Sequence, residues 1–182
     1  MTAKQSKPKS LPGKSHGNRK PRAKKPIPEP EIQIDPTKPT NEIRVIDKLA
    51  AIFDGVYRYR AAYGGRNSCK STMFALMLLI RASENRLRIV CCREFQNSLK
   101  ESVMAQLITV CELYPVLGSM FEWGQDYFRG KNGSEFLFRG LHANSTAIKS
   151  LADIDIVWIE EAEDVSQASL DVLLPTIRRT RS

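Results

Sequence analysis

A glycine loop set between a strand pattern and a helix pattern is the feature that most constrains this chain. The loop is Tyr63–Thr72, YGGRNSCKST. VYRYRAAY (56–63) reads as a strand before it, and KSTMFALMLLIRASEN (70–85) follows with an apolar stripe at helical spacing. In a strand–glycine loop–helix unit, backbone N–H groups can wrap a phosphate while the positive end of the helix faces it. The Walker A pattern asks for Gly, four residues, then Gly-Lys-Ser or Gly-Lys-Thr. Gly64 opens that run and Lys70-Ser71 close it, but Cys69 stands where the second glycine belongs.

Read as a phosphate loop, Gly64, Gly65, Arg66, Asn67, Ser68, Cys69, Lys70, Ser71 and Thr72 bind ATP. Lys70 reaches the β- and γ-oxygens as a point charge, and the Ser71 hydroxyl is offered to Mg²⁺. The plainer alternative is a glycine turn followed by an ordinary first-turn lysine. A strained non-glycine residue at Cys69 costs on the order of 1–3 kcal/mol. At about 1.4 kcal/mol per decade, that weakens ATP binding roughly tenfold or more without erasing the site.

A second half-motif lies in IVWIEEAED (156–164), four apolar residues running into two glutamates. Glu160 is assigned to Mg²⁺ through its water shell, and Glu161 to orienting the attacking water. The alternative is a strand that runs into a solvated acidic helix start. Both half-motifs follow strands, where the C-terminal edge of one parallel sheet gathers ligands.

The elements between them alternate. RLRIVCC (86–92) reads as a buried strand and QNSLKESVMAQLITVCELY (96–114) as a helix ended by Pro115. DYFRGKNGSEFLFRG (126–140) reads as a hairpin turning at Lys131-Asn132-Gly133. IDIVWI (154–159) is another strand, and SQASLDVLL (166–174) a helix halted by Pro175. The expectation is an α/β fold with a mainly parallel sheet flanked by helices on both faces.

Charge is uneven. Residues 1–40 hold ten Lys or Arg against three acids, whereas the remainder holds 18 against 17, so the net +8 describes a tail. With eight of the ten prolines, residues 1–42 read as a disordered basic tail that touches DNA phosphates or serves solubility. Residues 43–182 read as the folded domain. No apolar run follows the first lysines as in a secretory signal, and FALMLLI (74–80) is too short to cross a bilayer. Cys69, Cys91, Cys92 and Cys111 lack paired metal-ligand spacing and read as reduced thiols.

Residues 57–180 resemble the ATPase region of the large terminase subunit of tailed double-stranded DNA phages. The resemblance rests on RYRAAYGGRNSCKS, RIVCCREFQNSLKESV, FLFRGL, IKSL, IDIVWIEEAEDVS and LLPTIRR, in the family's order. It implies a P-loop NTPase of the ASCE, RecA-like type, with Glu161 as the catalytic glutamate. It implies ATP and Mg²⁺ as cofactors and the work of pumping double-stranded DNA into a procapsid. The implied partners are a portal protein, a small terminase subunit and other copies in a homo-oligomeric ring. The implied place is the cytoplasm of the bacterial host, with no membrane.

Residue by residue, Arg66 matches a candidate charge-sensing arginine, suited to the spread charge of a loose phosphoryl-transfer transition state. Arg58 and Tyr59 match a segment near the adenine. Arg93, Glu94 and Gln96 match a segment to which no role is assigned. Lys149 and Ser150 of IKSL lie near nucleotide or DNA, or in a solvated loop, and His16 and His142 receive no role.

Two departures stand out. Cys69 replaces a glycine, and the sequence stops at Ser182. In the family, a strand with a coupling motif follows and inserts between 56–63 and 154–159, and a nuclease domain comes after it. The domain therefore reads as incomplete, a truncated or split-gene form. With no acidic cluster for two metals, no nuclease activity is expected. The competing expectation is a nonenzymatic remnant that binds DNA or a motor partner without turnover. Another ASCE ATPase such as a helicase fits less well, because no second RecA-like unit is visible.

Overall fold

β1 (Arg88–Arg93) lies inside the sheet because its run of apolar residues is covered on both faces. The computed structural model describes residues 39–40, 42–55, 57–95, 99–142, 148, 151 and 153–177, all within the unit spanning 33–182. The expectations for the tail (1–38), His16, Gln96, Lys149 and Ser150 fall outside those residues.

Four further strands complete the sheet among the described residues: β2 (Phe121–Trp123), β3 (Phe128–Gly130), β4 (Glu135–Gly140) and β5 (Ile156–Ile159). Their order is β2-β3-β4-β1-β5. β4 and β5 flank β1 in parallel, with Cys91 opposite both Phe138 and Trp158. β2, β3 and β4 pair antiparallel. The sheet is thus mixed, not mainly parallel. The expected hairpin puts β3 beside β4, and the three-residue β2 adds another antiparallel strand.

Alternation along β1 divides the core. Ile89 and Cys91 join Phe136, Phe138 and Trp158 under α1 (Lys70–Glu84) and α2 (Leu99–Leu113). Val90 and Cys92 face the other way, onto Leu141, Ile148, Ile154 and Leu173. α3 (Pro115–Gly118) begins at the proline expected only to stop α2. α4 (Gln167–Leu173) starts at Ser166, whose hydroxyl accepts the Ser169 N–H at 3.2 Å. Such a cap is worth about 1 kcal/mol. Cys91, Cys92 and Cys111 are core residues, and burial pushes the Cys92 and Cys111 thiols up to about 12.

The hairpin is fastened to the end of α1. Asn132 Nδ2 donates to the Ala82 carbonyl at 2.7 Å, and the buried Ser134 hydroxyl reaches the carbonyls of Ala82 and Asn85.

The strand expected at 56–63 does not form. Val56 lies outside the described residues, and 57–63 joins no ladder. A strand is stabilised by its neighbours as much as by its composition, and β5 pairs only with β1 among the described strands. Tyr57, Tyr59 and Tyr63 stay 66%, 65% and 100% exposed, so no apolar burial compensates. Arg60 instead folds back, donating to the carbonyls of Tyr57 at 2.9 Å and Gly55 at 2.6 Å.

Candidate nucleotide site

The loop before α1 is held in conformations that favour glycine. Gly64 has φ 151°, and the non-glycine residues Asn67 and Cys69 have φ 61° and 56°. Glu161 also adopts φ 52°, so of four described non-glycine residues with positive φ, three lie in the two candidate loops. Backbone strain of this kind clusters at ligand clamps and active sites. Cys69 takes the left-handed conformation, in which a Cβ is strained.

Lys70 opens α1 and turns back over the loop. Its Nζ donates to the carbonyls of Gly64 at 2.8 Å and Gly65 at 2.9 Å, and to the Ser68 hydroxyl at 2.8 Å. These three bonds use the three donors of the ammonium. A Cβ added at Gly65 would meet nothing within 4 Å, so the space there is open. No side chain caps α1, which leaves its first-turn N–H groups for an incoming anion. Arg66 is exposed in the loop. Arg58 and Tyr59 are exposed too, with the Arg58 guanidinium 5.6 Å from the centre of the Tyr59 ring.

The acidic turn begins where β5 ends. The Glu160 N–H donates to the Cys92 carbonyl at 2.9 Å, which extends the ladder by one bond. Arg93, the last residue of β1, then meets both acids. Its Nη2 lies 2.8 Å from Glu160 Oε2 and 3.2 Å from Glu161 Oε1. The Arg93 and Glu160 side chains are 17% and 16% exposed, and that of Glu161 is 49% exposed.

α2 links this turn to the start of α1. Ser102 Oγ lies 3.4 Å from Glu160 Oε2 and 3.2 Å from the Leu99 carbonyl, with one proton to share between them, and Gln106 Nε2 donates to the Thr72 hydroxyl at 3.2 Å. Residues four apart lie on one helix face, about 6 Å along the axis. One face of α2 therefore brings Thr72, the neighbour of Ser71, close to Glu160. Among the described residues, no hydrogen bond or ion pair joins Arg66, Arg58 or Tyr59 to this group. Sequence reading missed Ser102 and Gln106, and nothing in α2's pattern marks them.

Glu94 turns away from Arg93 and is 3% exposed. Its carboxylate accepts the hydroxyls of Ser166 at 3.0 Å and Ser169 at 3.1 Å, and the Ser166 N–H at 3.3 Å. His142, which had no expected role, approaches it at 3.4 Å. Burial alone would raise the Glu94 carboxyl, but hydrogen bonds from Ser169, Ser166 and His142 hold it below its ordinary value.

Ser71 and Glu160 are hard oxygen donors, and Mg²⁺ needs only one or two protein ligands when phosphate and water supply the others. The donor chemistry fits that ion. Among the described residues, no three His, Cys, Asp or Glu side chains gather to hold a metal by themselves. Two surface hollows of about 270 and 250 Å³ lie elsewhere, against α2 and β4 and beside α3. No described helix is long and apolar enough to cross a membrane.

Residues 57–182 match the family described as phage terminase large subunit. The chain is also similar to the PBSX phage terminase large subunit of Bacillus subtilis (strain 168), at 27% identity over 130 residues. That stretch covers 70% of this chain and 29% of the relative, so the chain spans less than a third of the relative's length.

Proposed function

The chain belongs to the phage terminase large subunit family, and on that premise we propose that residues 64–72 and 160–161 form one ATP-hydrolysing site. The observation that carries the reading is the α2 bridge, with Ser102 on Glu160 and Gln106 on Thr72. It supports a joint role for two half-motifs that lie far apart in sequence.

In this reading, incoming phosphate replaces the loop carbonyls around Lys70. The ammonium exchanges neutral carbonyl and hydroxyl acceptors for charged phosphate oxygens, which adds a direct attraction of opposite charges. The uncapped N–H groups of α1 supply further donors. Mg²⁺, held by Ser71 and by Glu160 through water, would neutralise phosphate charge. Glu161 orients the attacking water and accepts its proton, and Arg66 stabilises charge on the transferred group from the loop above. Arg58 and Tyr59 flank the base. For the whole assembly, we propose that hydrolysis drives double-stranded DNA into a procapsid with a portal protein and a small subunit.

The test is phosphate release from Mg·ATP by the full chain, with and without double-stranded DNA. Glu161→Gln keeps shape but removes the base, and it should lower turnover by about 10²–10⁴-fold while ATP still binds. Binding without turnover in the wild-type chain would favour a nonenzymatic binding role instead.

A further inference from the structure

Arg93 ends the strand that runs beside β5, and Cys92 faces Ile159 in their register. Its guanidinium therefore emerges next to Glu160 through strand pairing, not through chance surface contact. It is fixed from behind as well, because the next residue, Glu94, is buried and bonded to the start of α4. Consecutive residues of one strand end thus fasten both ends of the 160–166 turn. Arg93 takes its acids, and Glu94 takes Ser166. Two adjacent carboxylates repel each other, and Glu161 sits half-exposed on left-handed backbone, its side chain held by no other hydrogen bond or ion pair among the described residues. Among the described residues the Nε of Arg93 is buried and unpartnered, and Nη2 is the nitrogen that meets both carboxylates.

We propose that Arg93 is a positioning residue for hydrolysis, holding the Glu160 and Glu161 carboxylates side by side so that Glu161 keeps one orientation toward the attacking water. This rests on the ATPase reading above. Arg93 does not touch the reacting atoms. Its effect passes through Glu161, and it should show in the chemical step more than in ATP binding.

The experiment compares the full chain with Arg93→Gln, Arg93→Ala and Arg93→Lys. Misplacing a catalytic group by about 1 Å costs roughly 10²-fold, so Arg93→Gln should lose about that much kcat. KM, and the affinity for a nonhydrolysable Mg·ATP analogue, should stay within about threefold of wild type. Added guanidinium ion should restore part of the activity of Arg93→Ala, and Arg93→Lys should retain part of it. Arg93→Gln in a Glu161→Gln background should cost nothing further, as residues acting as a unit are non-additive. A wild-type kcat in Arg93→Gln overturns the proposal, as does a full second loss in the double variant. If Arg93→Gln is too unstable to assay, retained activity in Arg93→Lys supports the proposal and its absence overturns it. A wild-type chain without turnover would defeat the ATPase reading separately. The melting temperatures of the two single variants and the double variant then decide whether Arg93 holds Glu161. Losses that fall short of additive support the hold, and strictly additive losses overturn it.

Discussion

The Glu94 carboxylate accepts the Ser166 hydroxyl at 3.0 Å, a contact between residues seventy-two apart in the chain. It anchors the N-cap of α4 to the end of β1, and with it the far end of the acidic turn. A carboxylate is needed there because acceptor-only oxygens meet hydroxyl and N–H donors.

Glu94→Gln places an NH₂ group among those donors and should cost about 1–3 kcal/mol, the range for an unsatisfied buried partner. The pH dependence has a definite sign. The folded carboxyl lies below its ordinary value of 4.5, so the unfolded chain binds the proton more readily. The stabilisation is complete above about pH 4.5 and fades as pH falls through the lower, folded value. Thermal melts across pH 3–7 should show a steeper acid loss in wild type than in Glu94→Gln. Parallel curves would contradict this role for Glu94.

Cys69→Gly separates strain in folding from strain in binding. A left-handed non-glycine residue costs about 1–2 kcal/mol, offset in part by about 0.5–1 kcal/mol of extra glycine chain entropy. The net gain of about 0–1.5 kcal/mol should raise the melting temperature by up to roughly 3–6 °C. Strain that belongs to the fold of the loop should leave Mg·ATP affinity within about threefold of wild type. A tenfold tighter Kd with an unchanged melting temperature would mean that the strain arises only on binding.

Sequence periodicity gave α1, β1, α2 and the β3–β4 hairpin, because their apolar spacing matches the faces they bury. Segment 57–63 misled, since exposed tyrosines can alternate without a neighbouring strand to pair with. β2 has only three residues, too few to show a period. The loop and the acidic turn were legible as local motifs. Their supporting contacts were not, because Ser102–Glu160, Gln106–Thr72 and Arg93–Glu160 join residues 58, 34 and 67 apart. Arg93 and Glu94 drew notice without a role for that reason. Their partners follow from the β1–β5 register and the start of α4, which no short window of sequence contains.

Equilibrium binding of Mg·ATP to the full chain and to Lys70→Ala tests the central claim most directly. Lys70 gathers Gly64, Gly65 and Ser68 about its ammonium, and in the proposed site it exchanges them for phosphate oxygens. Losing a charge-assisted contact of about 1.5–3 kcal/mol should weaken binding by roughly 10–150-fold at 1.4 kcal/mol per decade. Circular dichroism and melting should stay close to wild type, since among the described residues Lys70 bonds only to its own loop. Equal ATP affinity in the two folded proteins would contradict the phosphate-loop assignment.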